Sequence, residues 1–140
     1  MAYLFKQKLN LLELANAAHR PKRVLIQEPE EYLAALYQHY LLEHNFDVKH
    51  CPDLHNISKF IIEGFYPDVL VFCADANFEG VRQFLSQFSY RFPGVLLIAT
   101  GISSDSELVR ELMSAGVTGH INRKLTRPQD LAIVIKSMIQ

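Results

Sequence analysis

Carboxylate, thiol, hydroxyl and guanidinium side chains follow short apolar runs of the 140-residue sequence. In chain order these side chains are Glu28, Glu30, Cys73, Asp75, Thr100 and Arg123. A carboxylate can act as a nucleophile and can hold a hard cation, and a thiol becomes reactive where a neighbouring cation favours its thiolate form. The residue types are compatible with two chemistries, group transfer to a carboxylate and redox chemistry at a thiol.

The elements that must position these side chains are alternating strands and helices. Five strands are predicted from short apolar runs, at residues 24–26, 46–51, 68–73, 95–99 and 117–122. The continuous run inside 68–73 is typical of a strand that is buried on both faces of a sheet. Five helices are predicted from apolar residues spaced three and four apart, at residues 30–43, 52–64, 78–91, 104–116 and 126–138. Their predicted caps are Asp53 for the second helix, Ser104 with Glu107 for the fourth, and Thr126 with Gln129 for the fifth.

Five β–α units in this order predict an α/β fold in which a parallel sheet lies between two layers of helices. We expect a flavodoxin-like (βα)5 sandwich with the strand order 2-1-3-4-5. In such a sheet, ligands lie at the carboxyl ends of the strands, which is where the six side chains fall. A further helix is predicted at residues 3–18. The chain would then divide into an N-terminal helical extension, residues 1–20, and a domain, residues 21–140.

Composition excludes several classes of protein. Fourteen Lys and Arg against fifteen Asp and Glu give a net charge of −1, which argues against a nucleic-acid binder and against a polybasic membrane anchor. The apolar runs are too short to span a bilayer, and the N-terminus lacks the apolar run of a signal peptide. We therefore expect a cytoplasmic protein that binds neither nucleic acid nor membrane.

Neither a disulfide nor a metal site is expected. Cys51 and Cys73 are predicted at the ends of two strands that the first strand separates, so they are not placed to form a disulfide. A zinc site is one interpretation of the stretch that holds His39, His44, His50, Cys51 and His55. Its spacing matches no familiar zinc motif, and neighbouring residues of a strand face opposite sides of the sheet.

Over residues 22–138 the sequence resembles the receiver domain of bacterial two-component response regulators. The matching segments begin at Arg23, Pro67, Val95 and Ala115. In that family, two acidic residues at the end of the first strand help to hold Mg²⁺, and an aspartate at the end of the third strand accepts phosphate from a histidine kinase. A Thr or Ser ends the fourth strand, and a Lys followed by Pro ends the fifth. The resemblance implies a role in a phosphorelay for chains that keep this set.

This sequence departs from the family pattern at most of these positions. The acidic pair becomes Glu28 and Pro29, with Glu30 next, and the acceptor aspartate becomes Cys73. The Lys becomes Arg123, which keeps the charge but differs in shape and reach. Because a thiol is a soft ligand and proline has no side-chain oxygen, we expect no cofactor, Mg²⁺ included.

The remaining family positions are partly retained. The hydroxyl is kept as Thr100, His120 replaces the aromatic switch residue of the fifth strand, and Lys124 replaces the proline. His120 and Lys124 therefore belong to the expected switch or interaction face. The resemblance as a whole implies a degenerate receiver, or pseudo-receiver, that lacks the acceptor aspartate.

From this resemblance we predict a stand-alone, non-enzymatic signalling module that acts by protein–protein contact, without conventional aspartate phosphorylation. Family members pair through the fourth helix, fifth strand and fifth helix, so residues 107–139 are the expected surface for a partner or a homodimer. The apolar stripe of the N-terminal helix is the alternative dimer seam.

Two other functions stay open. In the first, Asp75 is a displaced phosphoacceptor, two residues beyond the predicted strand; the competing interpretation is that it caps the helix that begins near Asn77. In the second, Cys73 is a thiol redox switch whose thiolate is favoured by Arg123; the competing interpretation is that it is a small buried filler.

Overall fold

The computed structural model of the protein describes residues 20–75, 78–102 and 105–139. The helix predicted at residues 3–18 lies outside these residues. Strands β1 to β5 run over Arg23–Gln27, Asp47–Cys51, Val69–Cys73, Leu96–Gly101 and Gly119–Asn122. In the described residues, helices α1 to α5 run over Glu31–Glu43, Ile57–Ile62, Phe78–Arg91, Ser106–Ser114 and Leu131–Ile139. Short 3-10 turns, Leu54–Asn56 and Pro128–Asp130, precede α2 and α5.

The predicted fold is confirmed. The strands form one sheet in the order β2-β1-β3-β4-β5, and every neighbouring pair is parallel. The register places Cys73 of β3 beside Thr100 of β4, and Gly101 of β4 beside Asn122 of β5. The carboxyl ends of the strands therefore meet at one edge of the sheet. The fifth strand begins two residues later than predicted.

Side-chain alternation along the strands divides the core into two layers. On one face the sheet contributes Leu25, Leu70, Phe72, Leu97 and Ala99, which pack against α2, α3 and α4. On the other face it contributes Val24, Ile26, Val69, Val71, Ile98 and Ile121, which pack against α1 and α5. All five residues of β3 are buried, as its continuous apolar run predicts for a central strand.

Helix α4 begins at a different residue from the predicted cap. Ser104 lies outside the described residues, and the N-cap is Asp105, whose Oδ1 accepts a hydrogen bond from the N–H of Glu107 at 3.0 Å. An aspartate one residue later serves the same unpaired amide. The end of the helix is as predicted, since Gly116 adopts a φ of +106°, which favours glycine.

The caps predicted for the second and fifth helices are wrong. The 3-10 turn Pro128–Asp130 precedes α5, and its N-cap, Arg127, makes no side-chain cap hydrogen bond. Proline is favoured at the start of such a turn because it has no N–H that needs a capping partner. The N-cap position is occupied by Arg127, so Thr126 and Gln129 are not the capping pair. Asp53 likewise makes no side-chain cap hydrogen bond to the turn that precedes α2.

Candidate functional site

Four of the predicted site residues meet at the carboxyl edge of the sheet. Arg123, which follows β5, reaches back so that its Nη1 lies 3.4 Å from Cys73 Sγ and 3.7 Å from Glu28 Oε1. Its Nη2 donates to Asp75 Oδ2 in a hydrogen-bonded ion pair. One guanidinium thus contacts a thiol and two carboxylates. We call Glu28, Cys73, Asp75 and Arg123 the Arg123 cluster.

Glu28 and Glu30 have different environments although they are two residues apart. The Glu28 side chain is 4% exposed; its Oε2 accepts the N–H of Glu30 at 2.9 Å, and its Oε1 has no hydrogen-bond partner in the described structure. The Glu30 carboxylate is the N-cap of α1 and accepts from the N–H groups of Tyr32 and Leu33. Glu30 is therefore committed to the helix, and Glu28 alone joins the cluster.

Asp75 folds back over the sheet edge. Its Oδ1 accepts the N–H of Ile102, just beyond β4, at 3.0 Å, while its Oδ2 contacts Arg123 beyond β5. The approach is close, because a Cβ added at Gly101 would lie 2.8 Å from Oδ1. Asn77 lies outside the described residues, and within them the carboxylate bonds toward β4 and β5. Asp75 thus joins the loops that follow three strands.

Cys73 lies at the end of β3 on a buried polar floor. Its N–H donates to Gln27 Oε1 at 3.0 Å, and Gln27 Nε2 donates to the carbonyl of Pro52 at 2.9 Å. Thr100, its neighbour on β4, is buried and directs its hydroxyl at the carbonyl of Phe72, 3.4 Å away. The sequence places Gln27 at this edge, as a polar residue that ends an apolar run, but gives no indication of its contact with Cys73.

Burial and the charges of the Arg123 cluster shift the pKa values of Arg123 and of Tyr37 beside it. Burial lowers the pKa of Arg123, but the contacts with Cys73, Asp75 and Glu28 outweigh it, and the net shift is upward. Burial raises the pKa of Tyr37, on the inner face of α1, to about 12, and the attraction of Arg123 opposes this shift. In the sequence, Tyr37 is one residue of the apolar stripe of its helix, so the sequence does not indicate that it lies near Arg123. The guanidinium is charged at every physiological pH.

Of the two predicted switch residues, His120 lies beside the Arg123 cluster and Lys124 does not. A Cβ at Gly101 would lie 3.2 Å from His120 Nε2, on the same side as Asp75. Burial lowers the pKa of His120, and the negative charge of Asp75 partly opposes this. Lys124 is exposed, and its N–H donates to Asn122 Oδ1 at 2.9 Å. Only His120 of the two faces the cluster.

The donor set of this edge does not fit Mg²⁺, which prefers several oxygen ligands in octahedral geometry. A thiol stands at the end of β3, the Glu30 carboxylate caps a helix, and the Glu28 carboxylate is hydrogen-bonded beside a guanidinium. Across residues 20–75, 78–102 and 105–139, no three His, Cys, Asp or Glu side chains are grouped to hold a metal ion.

Two histidines of the zinc interpretation, His39 and His50, have other partners. His39 pairs with Glu43 at 3.1 Å along α1, and His50 Nε2 lies 2.8 Å from the carbonyl of Glu28. Cys51 and Cys73 are both free and buried, and β1 lies between their strands. In the described residues, no group of three His, Cys, Asp or Glu side chains in this stretch is placed to hold a metal ion. None of the helices in the described part of the chain is both long and apolar enough to cross a membrane.

Solved structures similar to this chain include response regulators. An orphan response regulator of H. pylori matches with a TM-score of 0.75 and 14% identity, over 86% of this chain and 98% of that one. A response regulator from Thermotoga maritima matches with a TM-score of 0.73 and 16% identity, over 85% and 98%. A CheY-like receiver domain protein from Methanospirillum hungatei matches with a TM-score of 0.73 and 19% identity, over 84% and 93%.

Comparison by sequence adds no relative. No family model matches the chain, and no curated protein matches it. The structural matches establish that the chain has the receiver, or CheY-like, form of the flavodoxin-like fold. At these identities the likeness extends to the fold alone, so function has to be argued from the site.

Proposed function

We propose that the protein is a receiver-like signalling module that acts by protein–protein contact, without conventional aspartate phosphorylation, enzymatic activity or bound Mg²⁺. The observation that carries this proposal is the Arg123 cluster. A thiol occupies the strand end where the family places its acceptor carboxylate, and the guanidinium that would face a phosphoryl group contacts two carboxylates of the same chain.

The buried carboxylate supports the same conclusion. Glu28 is almost fully enclosed and has Arg123 as its counter-ion. A phosphoryl group carries about −1.5 to −2 charges at neutral pH and would compete with Glu28 and Asp75 for one cation. Stabilising it would require a metal ion, for which the donors at this edge are not suited. Contact with a protein partner needs none of these groups to change.

The competing function is phosphoryl acceptance by Asp75. Its side chain turns back over the sheet edge, where it contacts Ile102 and Arg123. One oxygen accepts a hydrogen bond from Ile102 and the other pairs with Arg123. A nucleophilic oxygen would have to give up one of these contacts. Asp75 is therefore better suited to joining the loops than to attacking a phosphodonor.

The deciding experiment is intact-mass analysis after incubation with Mg²⁺ and acetyl phosphate. The wild type is compared with Asp75→Asn and Cys73→Ser, and beryllofluoride binding is measured in parallel to detect a pocket whose phosphoryl adduct is short-lived. We expect no adduct and no beryllofluoride binding. An adduct that disappears in Asp75→Asn would overturn the proposal and establish a phosphoreceiver with a displaced acceptor.

Residues 107–139 are proposed as the surface for the partner or for self-association. This region includes three exposed apolar side chains, Met113 on α4, Leu125 after β5, which is 83% exposed, and Ile133 on α5, which is 58% exposed. Exposed apolar side chains favour an interaction site where they form one patch. If the surface mediates a homodimer, Leu125→Asp with Ile133→Asp converts the dimer to a monomer in light scattering, while Tyr90→Asp on α3 does not.

A thiol switch at Cys73 is a second candidate, supported by the contact between Arg123 Nη1 and Cys73 Sγ. The thiolate is the species that peroxide oxidises. Under mild peroxide, a switch would oxidise Cys73 and spare Cys51, whose pKa is raised by burial. Mass mapping after dimedone trapping detects this product. Equal, slow oxidation of both thiols would exclude the switch.

A further inference from the structure

A cleft of about 570 Å³ adjoins the Arg123 cluster at Cys73 and extends between the segment that follows β2 and helix α3. Pro52, Asp53, His55 and Ser58 line one wall, and α3 lines the other. Cys73 and Phe84 are among the residues that face the cleft from the domain interior. This volume is within the range of ligand-binding pockets. The cluster and the cleft share only Cys73, so the cleft can be tested separately.

Helix α3 presents a row of polar side chains to the cleft. Gln83, Gln87 and Arg91 line it and are spaced four residues apart, so each lies about 6 Å further along the helix than the one before. The opposite side of α3, with Leu85 and Phe88, is buried in the core. The packing of the domain explains the buried side but does not require two glutamines in this row.

The spacing of the two glutamines matches an extended polypeptide. A strand rises about 3.3 Å per residue, so groups on one side of its backbone recur about every 6.6 Å. Gln83 and Gln87 each offer an amide donor and a carbonyl acceptor at nearly this interval. Two primary amides can therefore pair with backbone amide groups of alternate residues, whatever side chains those residues carry.

The charges at the ends of the cleft give a bound peptide its direction. Asp53 follows the carboxyl end of β2, whereas Arg91 is the last residue of α3, which runs back toward the opposite edge of the sheet. Within the described residues neither side chain is in an ion pair, although Arg91 also stacks over the ring of Phe92. From Gln83 to Arg91 the helix rises about 12 Å, the length of about four extended residues.

We propose that this cleft binds an extended peptide segment of a protein partner, about four residues long. Gln83 and Gln87 pair with its backbone, a positively charged group at its amino end lies near Asp53, and a carboxylate at its other end lies beside Arg91. The inference rests on the proposed function, because it assigns a surface to the partner. Between these two charged ends recognition is of the backbone, so many side-chain sequences are accepted there.

The test uses tetra-alanine with free termini, because alanine supplies a backbone and two terminal charges with minimal side chains. The ¹⁵N-labelled full chain is titrated, and the side-chain amide signals of Gln83 and Gln87 are followed by NMR. We expect saturable shifts of both signals. Gln83→Ala with Gln87→Ala should weaken binding about tenfold or more, the effect of losing one or two hydrogen-bonded pairs.

Two controls make the result specific. Gln38→Ala removes an amide of the same type from α1, on the other face of the sheet, and should leave the affinity unchanged. Tetra-alanine that is acetylated and amidated at its ends should bind about tenfold more weakly, because it lacks the charges that face Asp53 and Arg91.

Absence of saturable shifts, or equal affinity in the double glutamine variant, would overturn the proposal. Equal binding of the capped peptide would overturn the assigned direction. The titration is also separate from the test of phosphorylation. A phosphoryl adduct on Asp75 would refute the proposed function without altering the peptide result, and failure of tetra-alanine to bind would leave the mass analysis unchanged.

Discussion

Replacing Arg123 by methionine tests whether its guanidinium holds the carboxyl edge of the sheet together. Methionine keeps much of the apolar stem and removes the charge. The Glu28 carboxylate then stays buried without a counter-ion, and Asp75 loses its ion pair. We expect a less stable protein of unchanged fold, with looser connections after β3 and β4.

The magnitude follows from the burial of each partner. Leaving a fully buried charge unpaired costs about 3 to 5 kcal/mol. Glu28 keeps the N–H of Glu30, and its 3.7 Å distance from Arg123 is not a hydrogen bond, so we assign it about 2 kcal/mol. The Asp75 pair has side chains that are 21% and 22% exposed, which makes it worth about 1 kcal/mol. The expected loss is about 3 kcal/mol, or about 10 °C in Tm for a domain of this size.

The assay is urea unfolding followed by far-UV circular dichroism, with Arg127→Met as the matched control. Arg127 pairs with Asp130 at 2.9 Å, but its side chain is 70% exposed, so its removal should leave the midpoint unchanged. Adding Glu28→Gln to Arg123→Met should recover about 2 kcal/mol, because the buried charge is then absent. A loss below about 1 kcal/mol, or no recovery in the double variant, would refute this account of the cluster.

Two further predictions concern the same edge. Gly101→Ala places a Cβ 2.8 Å from Asp75 Oδ1 and should lower the free energy of unfolding by about 1 to 3 kcal/mol. Gly94→Ala is the control, because a Cβ there meets nothing within 4 Å. Equal urea midpoints for the two variants would contradict this prediction. His120 has a lowered pKa, so its contribution to the free energy of unfolding is complete above pH 6.5. That contribution declines between pH 6.5 and the folded pKa, by at most about 1.4 kcal/mol per pH unit. His120→Gln should abolish this decline and His39→Gln should retain it; a pH profile unaltered by His120→Gln would exclude the assignment.

The strands could be predicted because they depend on hydrophobic periodicity, and their order because five successive β–α units suit the flavodoxin-like arrangement. The continuous run in β3 is buried at every position, and the partly exposed pattern of β2 matches its place at the edge. Caps were predicted less well because several short polar side chains compete for the same few amides. Asp105 caps α4, and Pro128 begins a turn where a threonine cap was expected.

The site was predicted only in part, because its geometry depends on contacts that are distant in sequence. The position of Cys73 follows from the strand end, but the return of Asp75 depends on the N–H of Ile102, 27 residues away, and on the space left by Gly101. Glu28 and Glu30 are equivalent in type and nearly so in position. Only the start of α1 determines that one caps the helix while the other is buried.

The charge balance of the Arg123 cluster gives a stronger reason for the proposed function than the substitution of one aspartate. Arg123 contributes one positive charge, and Glu28 and Asp75 contribute two negative charges within its reach. A phosphoryl group would add about −1.5 to −2 more, and Lys124, the next cation in the sequence, is exposed. Restoring an aspartate by Cys73→Asp would increase the excess of negative charge around Arg123 further. We therefore expect Cys73→Asp alone to remain unreactive toward acetyl phosphate in the intact-mass assay; phosphorylation of this variant would show that the thiol was the only obstacle.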